Sequence, residues 1–493
     1  MKLSKIIERF EYTLISGNID VEIGSLVYDS RKAEKGSLFV CITGANSDGH
    51  DYIGQVLEKG AAAVIVKSGR DVSRYAEEMK DTVFISTDDT RLALAFASAA
   101  WFDYPAEKIP VIGITGTKGK TTTTYMIKSI LENAGIKTGL IGTIETDNGK
   151  DTIPSNNTTP ESYLIHKYLR EMIENGCESA VMEVSSQALM MHRTAGIMFE
   201  IGVFTNISPD HIGDNEHKDF EDYLNCKSML FLQCRYGIFN ADDEKTEYIM
   251  SKALCECETF GISSKADLKA ENICHIYRPG YLGMAYELKG KTEFRVELDI
   301  PGMFSVYNSL TAIAVCRHFN VPKDAILKAL KAARVKGRIE IIKVSDDFTL
   351  MIDYAHNAMA LESLLTTLRD YEPRRIVCLF GCGGNRAKSR RFEMGEVSGK
   401  LADLTIITSD NPRFEEPLDI IGDIKTGIEK TSGKYVEIPD RKEAIRYAIR
   451  NAEAGDVIIL AGKGHEDYQE IKGKKYPMDE RVIIREILEE DGI

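Results

Sequence analysis

At 493 residues, with 43% hydrophobic and 28% charged side chains, the chain is too long for one core and too ordinary in composition for a disordered or fibrous protein; three domains are expected. A formal charge of −14 argues against general nucleic-acid binding, and no apolar run reaches the length of a membrane span. The ten cysteines are scattered through apolar patterns, Cys255-x-Cys257 lacks a second pair, and the N-terminal MKLSKIIERFEYTL lacks a secretory signal's apolar core. The reading is free thiols in a reducing cytoplasm.

Residues 1–108 form a first unit. LVYDSRKAEKGSLFVCIT reads as strands around a turn, GQVLEKGAAAVIV as helix, glycine stop and strand, and TRLALAFASAAWFDYP as a helix stopped by Pro105. Nothing here resembles acid–base machinery. Asp29-Ser30-Arg31, with Gly44 and Asn46 nearby in sequence, is either a holder for a polar ligand end or a solvated turn.

Residues 109–336 form a second unit that alternates strand and helix. IPVIGITGTKGKTTTTYMIKSIL joins a buried strand to an amphipathic helix through Gly116-Thr117-Lys118-Gly119-Lys120-Thr121-Thr122. That is a phosphate cradle: glycines let backbone N–H groups approach an anion, the helix dipole favours it, Lys120 reaches the β/γ-phosphates and the Thr121 hydroxyl ligates Mg²⁺. It is a variant loop, because the strict spacing wants glycine at 114 and the chain has Ile114. KTGLIGTIET follows as a strand, then a turn with Thr158-Thr159-Pro160, a helix, and a strand ending in Glu183 before Ser185 and Ser186. A strand ending near Asn206 leads to Asp210-His211, and FEDYLNCKSMLFLQ is a helix carrying Lys227. Glu183 and His211 fall at the carboxyl edge of the sheet, where ligands of doubly wound folds collect. Residues 263–300 read as an antiparallel insertion, and Asn308 lies on the first of two closing helices.

Residues 337–493 form a third unit. TLMIDYAHN is a strand ending in Asp353 and His356. IVCLFGCGGNR ends in a glycine turn with Arg386, LTIITSDNPRFEEP in Asp410-Asn411-Pro412-Arg413, and DVIILAGKGHEDY in Gly462-Lys463-Gly464-His465-Glu466. Each loop alone is weak as a signal. Together they place charged residues on one edge of a parallel, Rossmann-like sheet.

In order along the chain, TGTKGKTTT, NTTPES, MEVSS, FTN with DH, NADD, DYAH, GCGGNR, SDNPR and AGKGHEDY resemble the Mur ligases, together with DSR and DGHDYI in the first unit. The spacing is most similar to the members that add the third residue of the peptidoglycan stem peptide. The resemblance covers essentially the whole chain. It implies an α/β protein of three domains: residues 1–108 for the UDP-sugar, 109–336 as a central P-loop ATPase-like parallel sheet, and 337–493 as a C-terminal Rossmann-like domain for the amino acid. The implied activity is ATP-dependent: a substrate carboxylate becomes an acyl phosphate, an amine attacks it, and an amide forms without an enzyme nucleophile.

By the same resemblance Lys120 contacts the transferred phosphate, Thr121 and Glu183 hold one Mg²⁺, and His211 holds the second of two Mg²⁺ ions. Lys227 matches a lysine carbamylated by CO₂, which turns a cation into an anion beside that metal; the alternative is a surface lysine on an amphipathic helix. Asn308 and Arg338 match nucleotide contacts, with Asp353 and His356 near them. Ser30, Thr158, Thr159, Ser185 and Arg193 match the positions that hold the UDP-N-acetylmuramoyl-dipeptide. Arg386, Asp410, Asn411, Pro412, Arg413, Gly462 and Glu466 match those that hold the amino acid, and Arg413 would pair with the distal carboxylate of meso-diaminopimelate, which lysine lacks. The chain departs from the family pattern at Lys118, Gln187, the segment after His211, the residues after DYAH and Asn385. The expectation is a cytoplasmic monomer without nucleic-acid or membrane partners. The alternatives are the same chemistry with lysine or another amino acid, a relative of the folylpolyglutamate synthases, or a P-loop switch whose nucleotide state controls a partner.

Overall fold

The computed structural model describes residues 1–44, 47–209, 212–213, 217–263, 265–278 and 281–492. The chain divides into two compact units, Met1–Asp267 with Thr311–Val321 and Leu268–Leu310 with Pro322–Ile493. The architecture is α/β with predominantly parallel sheets, as the strand–helix alternation implies. Among the described residues no helix is long and apolar enough to cross a membrane.

The first unit carries two sheets. The smaller runs in the order Thr13–Ser16, Val83–Thr87, Ala63–Lys67, Ser37–Val40, Ser25–Val27, antiparallel at its first pair and parallel after it. Its central strands Ser37–Val40, Ala63–Lys67 and Val83–Thr87 are largely buried on both faces because alternate residues face different helices, whereas the edge strand Thr13–Ser16 is exposed. Leu38, Val40, Ile65 and Ile85 pack with Ala93, Leu94 and Ala97 of helix Thr90–Trp101, while Phe39, Val64 and Phe84 pack with Ile53, Val56 and Leu57 of helix Ile53–Glu58.

The larger sheet of this unit runs Glu256–Gly261, Cys234–Asn240, Phe199–Phe204, Val111–Thr115, Ser179–Glu183, Thr138–Ile141, Glu145–Asp147, Thr152–Pro154. Val111–Thr115, wholly buried, pairs in parallel with Phe199–Phe204 on one side and Ser179–Glu183 on the other. The order of connection therefore reverses beside the strand that feeds the glycine loop, which is where such sheets open a crevice at their carboxyl edge. KTGLIGTIET, expected as one strand, is two: Thr138–Ile141 is parallel to Ser179–Glu183, and Glu145–Asp147 turns back antiparallel to it. The turn closes through Gly142 N–H donating to the Glu145 carbonyl at 3.0 Å. A Cβ at 142 would stand 2.7 Å from Glu183 Oε1, so the glycine lets that carboxylate lie against the turn.

The second unit contains the antiparallel ribbon Leu268–Arg278, Tyr281–Gly290, Phe294–Leu298 expected for the 263–300 stretch. It also contains a sheet in the order Glu340–Ile342, Thr349–Asp353, Asp456–Ala461, Arg375–Phe380, Leu404–Ile407, Tyr435–Glu437, parallel beyond its first pair. The ends of Thr349–Asp353, Asp456–Ala461, Arg375–Phe380 and Leu404–Ile407 lie on one edge of this sheet, which brings Asp353, Gly462, Gly381 and Asp410 together as the sequence pattern required. Its core joins Ile352, Leu379, Ile406 and Ile458 to the helices Arg441–Arg450 and Glu480–Asp491.

Candidate functional site

In the first unit the glycine loop is shaped by its neighbour strand. Gly116 has φ +149°, and a Cβ there would lie 2.0 Å from Thr205 Oγ1; Gly119, at φ +88°, precedes helix Lys120–Asn133. Thr117 N–H donates to the Asn206 carbonyl at 2.9 Å, Lys118 N–H to Asn206 Oδ1 at 2.9 Å, and Thr205 Oγ1 to the Lys118 carbonyl at 2.8 Å. Lys120 Nζ donates to the carbonyls of Gly116 and Thr117 at 2.8 and 3.2 Å, so the ammonium is held at the loop. Thr122, half-buried, follows on the helix.

Glu183 is 1% exposed at the end of its strand. Its carboxylate accepts from Thr121 Oγ1 at 3.0 Å, from Thr143 N–H at 2.8 Å and from Thr143 Oγ1 at 3.0 Å. Among the described residues it makes no ion pair. A buried carboxylate beside hydroxyl oxygens at a phosphate loop is a hard-oxygen donor set, which fits Mg²⁺. His211 and Asp210 lie outside the described residues, as does Asn46.

The same hydrogen-bond network continues away from the loop. Thr143 Oγ1 meets Thr158 Oγ1 at 3.1 Å; Thr159 Oγ1 donates to the Glu183 carbonyl at 2.9 Å and accepts from Ser185 N–H at 3.0 Å. Arg193 Nη1 donates to the Thr159 carbonyl at 3.0 Å. Thr158, Thr159, Ser185 and Arg193 are thus brought together next to Glu183. Ser30 is buried in the smaller sheet's turn Ser30–Lys32, where its carbonyl accepts from Lys59 Nζ at 2.8 Å; it makes no hydrogen bond to this network among the described residues.

Lys227 is not a surface lysine. It is 1% exposed, its Nζ donates to the Gly116 carbonyl at 3.0 Å, and it lies 4.4 Å above the ring of Tyr223. Tyr223 OH in turn lies 3.1 Å from Thr117 Oγ1. Helix Phe220–Ser228 therefore grips the phosphate loop at two points. Among the described residues one group of side chains has ligand atoms within 4.8 Å of one another, His217, Asp222 and Cys226. The His217 ring nitrogens are already engaged there by Asp222 Oδ2 at 2.9 Å and Ser186 Oγ at 2.8 Å, so the ring needs no metal to satisfy it.

In the second unit Asp410 and Asn411 are buried, and Asn411 Nδ2 donates to Glu466 Oε2 at 2.9 Å. The fully buried Lys463 joins them: its Nζ donates to Asn411 Oδ1 at 3.0 Å and to Glu466 Oε2 at 2.9 Å. Burial pushes the Glu466 carboxyl up, but the charge and hydrogen bond of Lys463 outweigh it and hold the group below its ordinary value. Gly462, at φ +105°, has room for a Cβ only at 3.0 Å from Asp410 Oδ2. Arg413 sits in the left-handed region at φ +53°, tied by backbone bonds to Glu470 and Lys472 of the hairpin that follows. Its Nε donates to Glu470 Oε2 at 3.1 Å and its Nη1 to the Gly384 carbonyl at 2.8 Å, which fixes the plane of the guanidinium. Pro412 is buried beside it, and Arg386 is exposed. Asn308 is buried on helix Met303–Arg317. The Arg338 guanidinium lies 4.9 Å over the Tyr354 ring. The Asp353 carboxylate accepts from Ile339 and Ala355 N–H groups, both at 2.8 Å, and His356 Nδ1 lies 2.8 Å from the Tyr354 carbonyl. Thr143, Thr205, Tyr223, His217 and Lys463 contact the candidate residues or their neighbours and were not singled out by sequence reasoning; only Lys463, inside a glycine-rich strand end, carried a signal.

Three family models match the chain: Mur ligase family, catalytic domain, over residues 22–101; Mur ligase middle domain over 114–316; and Mur ligase, glutamate ligase domain over 337–464. The chain is 42% identical over 493 residues to UDP-N-acetylmuramoyl-L-alanyl-D-glutamate–2,6-diaminopimelate ligase 1 of Clostridium acetobutylicum, covering 99% of this chain and 100% of that one. It is 41% identical to the ligase of the same name, without the number, from Clostridium tetani, with the same coverage. A solved structure of a UDP-N-acetylmuramoyl-L-alanyl-D-glutamate–2,6-diaminopimelate ligase superposes with a TM-score of 0.73 at 26% identity, covering 100% of this chain and 99% of that one.

Proposed function

The chain belongs to the Mur ligase family, and on that premise we propose that it is the ATP-dependent ligase that adds meso-2,6-diaminopimelate to UDP-N-acetylmuramoyl-L-alanyl-D-glutamate through an acyl phosphate, in peptidoglycan precursor synthesis. The observation that carries the reading is the continuous network from Thr121 through Glu183 and Thr143 to Thr158, with Thr159, Ser185 and Arg193 alongside. It links the phosphate loop, at the end of Val111–Thr115, to these polar residues beside the end of the neighbouring strand Ser179–Glu183, which supports an acceptor pocket there.

Residues 1–108 serve the UDP-sugar end through Ser30, residues 109–336 the nucleotide, and residues 337–493 the amino acid. The main-chain N–H groups of residues 116–122 and the ammonium of Lys120 receive the phosphates, with Asn308 and Arg338 on the nucleotide. Thr121, Glu183, His211 and Lys227 would hold two Mg²⁺ ions, and these would supply charge neutralisation between the phosphate and the acceptor carboxylate. Lys227 acts as its carbamate: its burial against the loop carbonyl of Gly116 supports a place inside the site. Thr158, Thr159, Ser185 and Arg193 align the dipeptide carboxylate. Asp410, Asn411, Gly462 and Glu466 receive the amino acid's polar end, with Arg386 and Arg413 on its carboxylates. The protein works as a cytoplasmic monomer, where ATP and the UDP-linked precursor are found.

The test is ADP release and product mass with ATP, Mg²⁺ and the UDP-dipeptide, offering diaminopimelate and lysine separately. Release should require both the UDP-dipeptide and diaminopimelate. Comparable turnover with lysine would contradict the substrate, and release with neither substrate would favour a nucleotide switch. Arg413→Ala is expected to raise the KM for diaminopimelate about 10- to 150-fold, the loss of about 1.5–3 kcal/mol from charged hydrogen bonds, without changing residual lysine turnover. Lys463→Met acts differently. It leaves Glu466 without its cation, so the KM for any amino acid should rise about tenfold, diaminopimelate and lysine alike. Unchanged KM values in both variants would remove this pocket from the reaction.

A further inference from the structure

His217 has no part in the phosphate loop, the metal donors or the amino-acid pocket, yet it is fully buried and bonded on both ring nitrogens. The Asp222 carboxylate can only accept, so His217 Nδ1 donates to it, and in the neutral ring Nε2 then accepts from the Ser186 hydroxyl. The chain of bonds is thus Ser186 O–H to His217 to Asp222. Its two ends sit on different machinery. Ser186, 4% exposed, directly follows Ser185 at the end of the segment that begins with Glu183. Asp222 lies in the first turn of helix Phe220–Ser228, whose Tyr223 and Lys227 bond the phosphate loop at Thr117 and Gly116. The His217 ring also packs 5.1 Å from the Tyr223 ring, which fixes its plane.

We propose that His217 is a positioning residue for the acceptor: it ties the Glu183–Ser186 segment to the helix that holds the phosphate loop, so that the acceptor carboxylate and the transferred phosphate keep one register. A single rigid helix then serves both reactants, through Ser186 on one side and Thr117 with Gly116 on the other. The proposal rests on the ligase reading above.

The two nitrogens of His217 can be tested separately. Gln places an amide oxygen near the Nε2 position and keeps the Ser186 contact; Asn places an amide N–H near the Nδ1 position and keeps the Asp222 contact. In steady-state kinetics of the full chain, Ser186→Ala and His217→Asn are expected to raise the KM for the UDP-dipeptide about tenfold, with the KM for ATP unchanged within about twofold. His217→Gln, which cuts the Asp222 end of the same tie, should raise the UDP-dipeptide KM by a similar factor. Tyr223→Phe, which cuts the bond to Thr117, should do the reverse and raise the KM for ATP. Thermal melts accompany each variant, and Ser186→Ala, which removes one oxygen, carries the test if a His217 variant does not fold. A UDP-dipeptide KM that stays within about twofold of wild type when either end of the tie is cut, or an ATP KM that moves with the UDP-dipeptide KM, would reduce His217 to a packing residue. Wild-type enzyme that does not turn over the UDP-dipeptide would instead remove the ligase reading, so the two failures are distinct.

Discussion

Lys120→Met is expected to lower kcat about 10³-fold while leaving the melting temperature of the protein close to wild type. The charge proposed to meet the transferred phosphate is lost, but the loop does not depend on it for shape. Gly116 is wedged against Thr205, Thr117 and Lys118 are held by Asn206, and Lys227 bonds the Gly116 carbonyl from the other side. Lys120 itself contributes bonds to two loop carbonyls, of the kind whose net worth is about 1 kcal/mol each. A methionine of similar length keeps the apolar stem packed. The measurement is ADP release at saturating substrates beside a thermal melt. Turnover near wild type would exclude Lys120 from phosphate transfer, and a collapsed melt would make its role structural. The same logic separates Thr121→Val, which removes a hydroxyl from the Glu183 carboxylate and should raise the Mg²⁺ concentration needed for activity without moving the KM for the amino acid.

The parts of this site that were legible in the sequence are those where a strand runs into glycines and a charge. The loop at 116–121, the Asp410–Arg413 stretch and Gly462–Glu466 all follow wholly or largely buried strands, and within each sheet parallel pairing puts such ends on that sheet's carboxyl edge. What was not legible depends on distance along the chain. Thr143 reaches Glu183 across 40 residues and Ser186 reaches His217 across 31, and neither pair has a pattern that a window of sequence could contain. Lys227 looks like a solvated residue on an amphipathic helix because its partner carbonyl lies 111 residues earlier. The break at Gly142 was missed for a related reason: the apolar run on either side reads as one strand, and only the carboxylate packed against the turn explains why the backbone must bend there.

Arg441→Met is expected to be the most destabilising single change in the second unit, costing about 3–5 kcal/mol, because it leaves a buried carboxylate without its partner. The side chains of Arg441 and Glu480 are 2% and 0% exposed, and Arg441 Nε donates to Glu480 Oε1 at 2.9 Å. The remaining guanidinium N–H groups donate to the carbonyls of Ser409 and Ala461 at 3.1 and 3.0 Å. Those carbonyls immediately precede Asp410 and Gly462, so the same residue that neutralises Glu480 also fastens together the two strand ends that carry the proposed amino-acid pocket. Burial pushes the Glu480 carboxyl above its ordinary value and Arg441 pulls part of that back. Without Arg441 the carboxyl rises further, and a carboxyl raised in the folded state costs stability as the pH climbs through its folded value. The deficit of Arg441→Met should therefore be largest near pH 8 and shrink toward pH 5, and Arg441→Met combined with Glu480→Met should recover most of it by removing the stranded charge. Denaturant midpoints at both pH values check this. A deficit that is flat with pH and persists in the double variant would mean that the Ser409 and Ala461 bonds, not the ion pair, carry the stability. In either case the single variant should raise the KM for the amino acid more than the KM for ATP, because the strand ends it releases hold Asp410 and Gly462 and lie outside the phosphate loop.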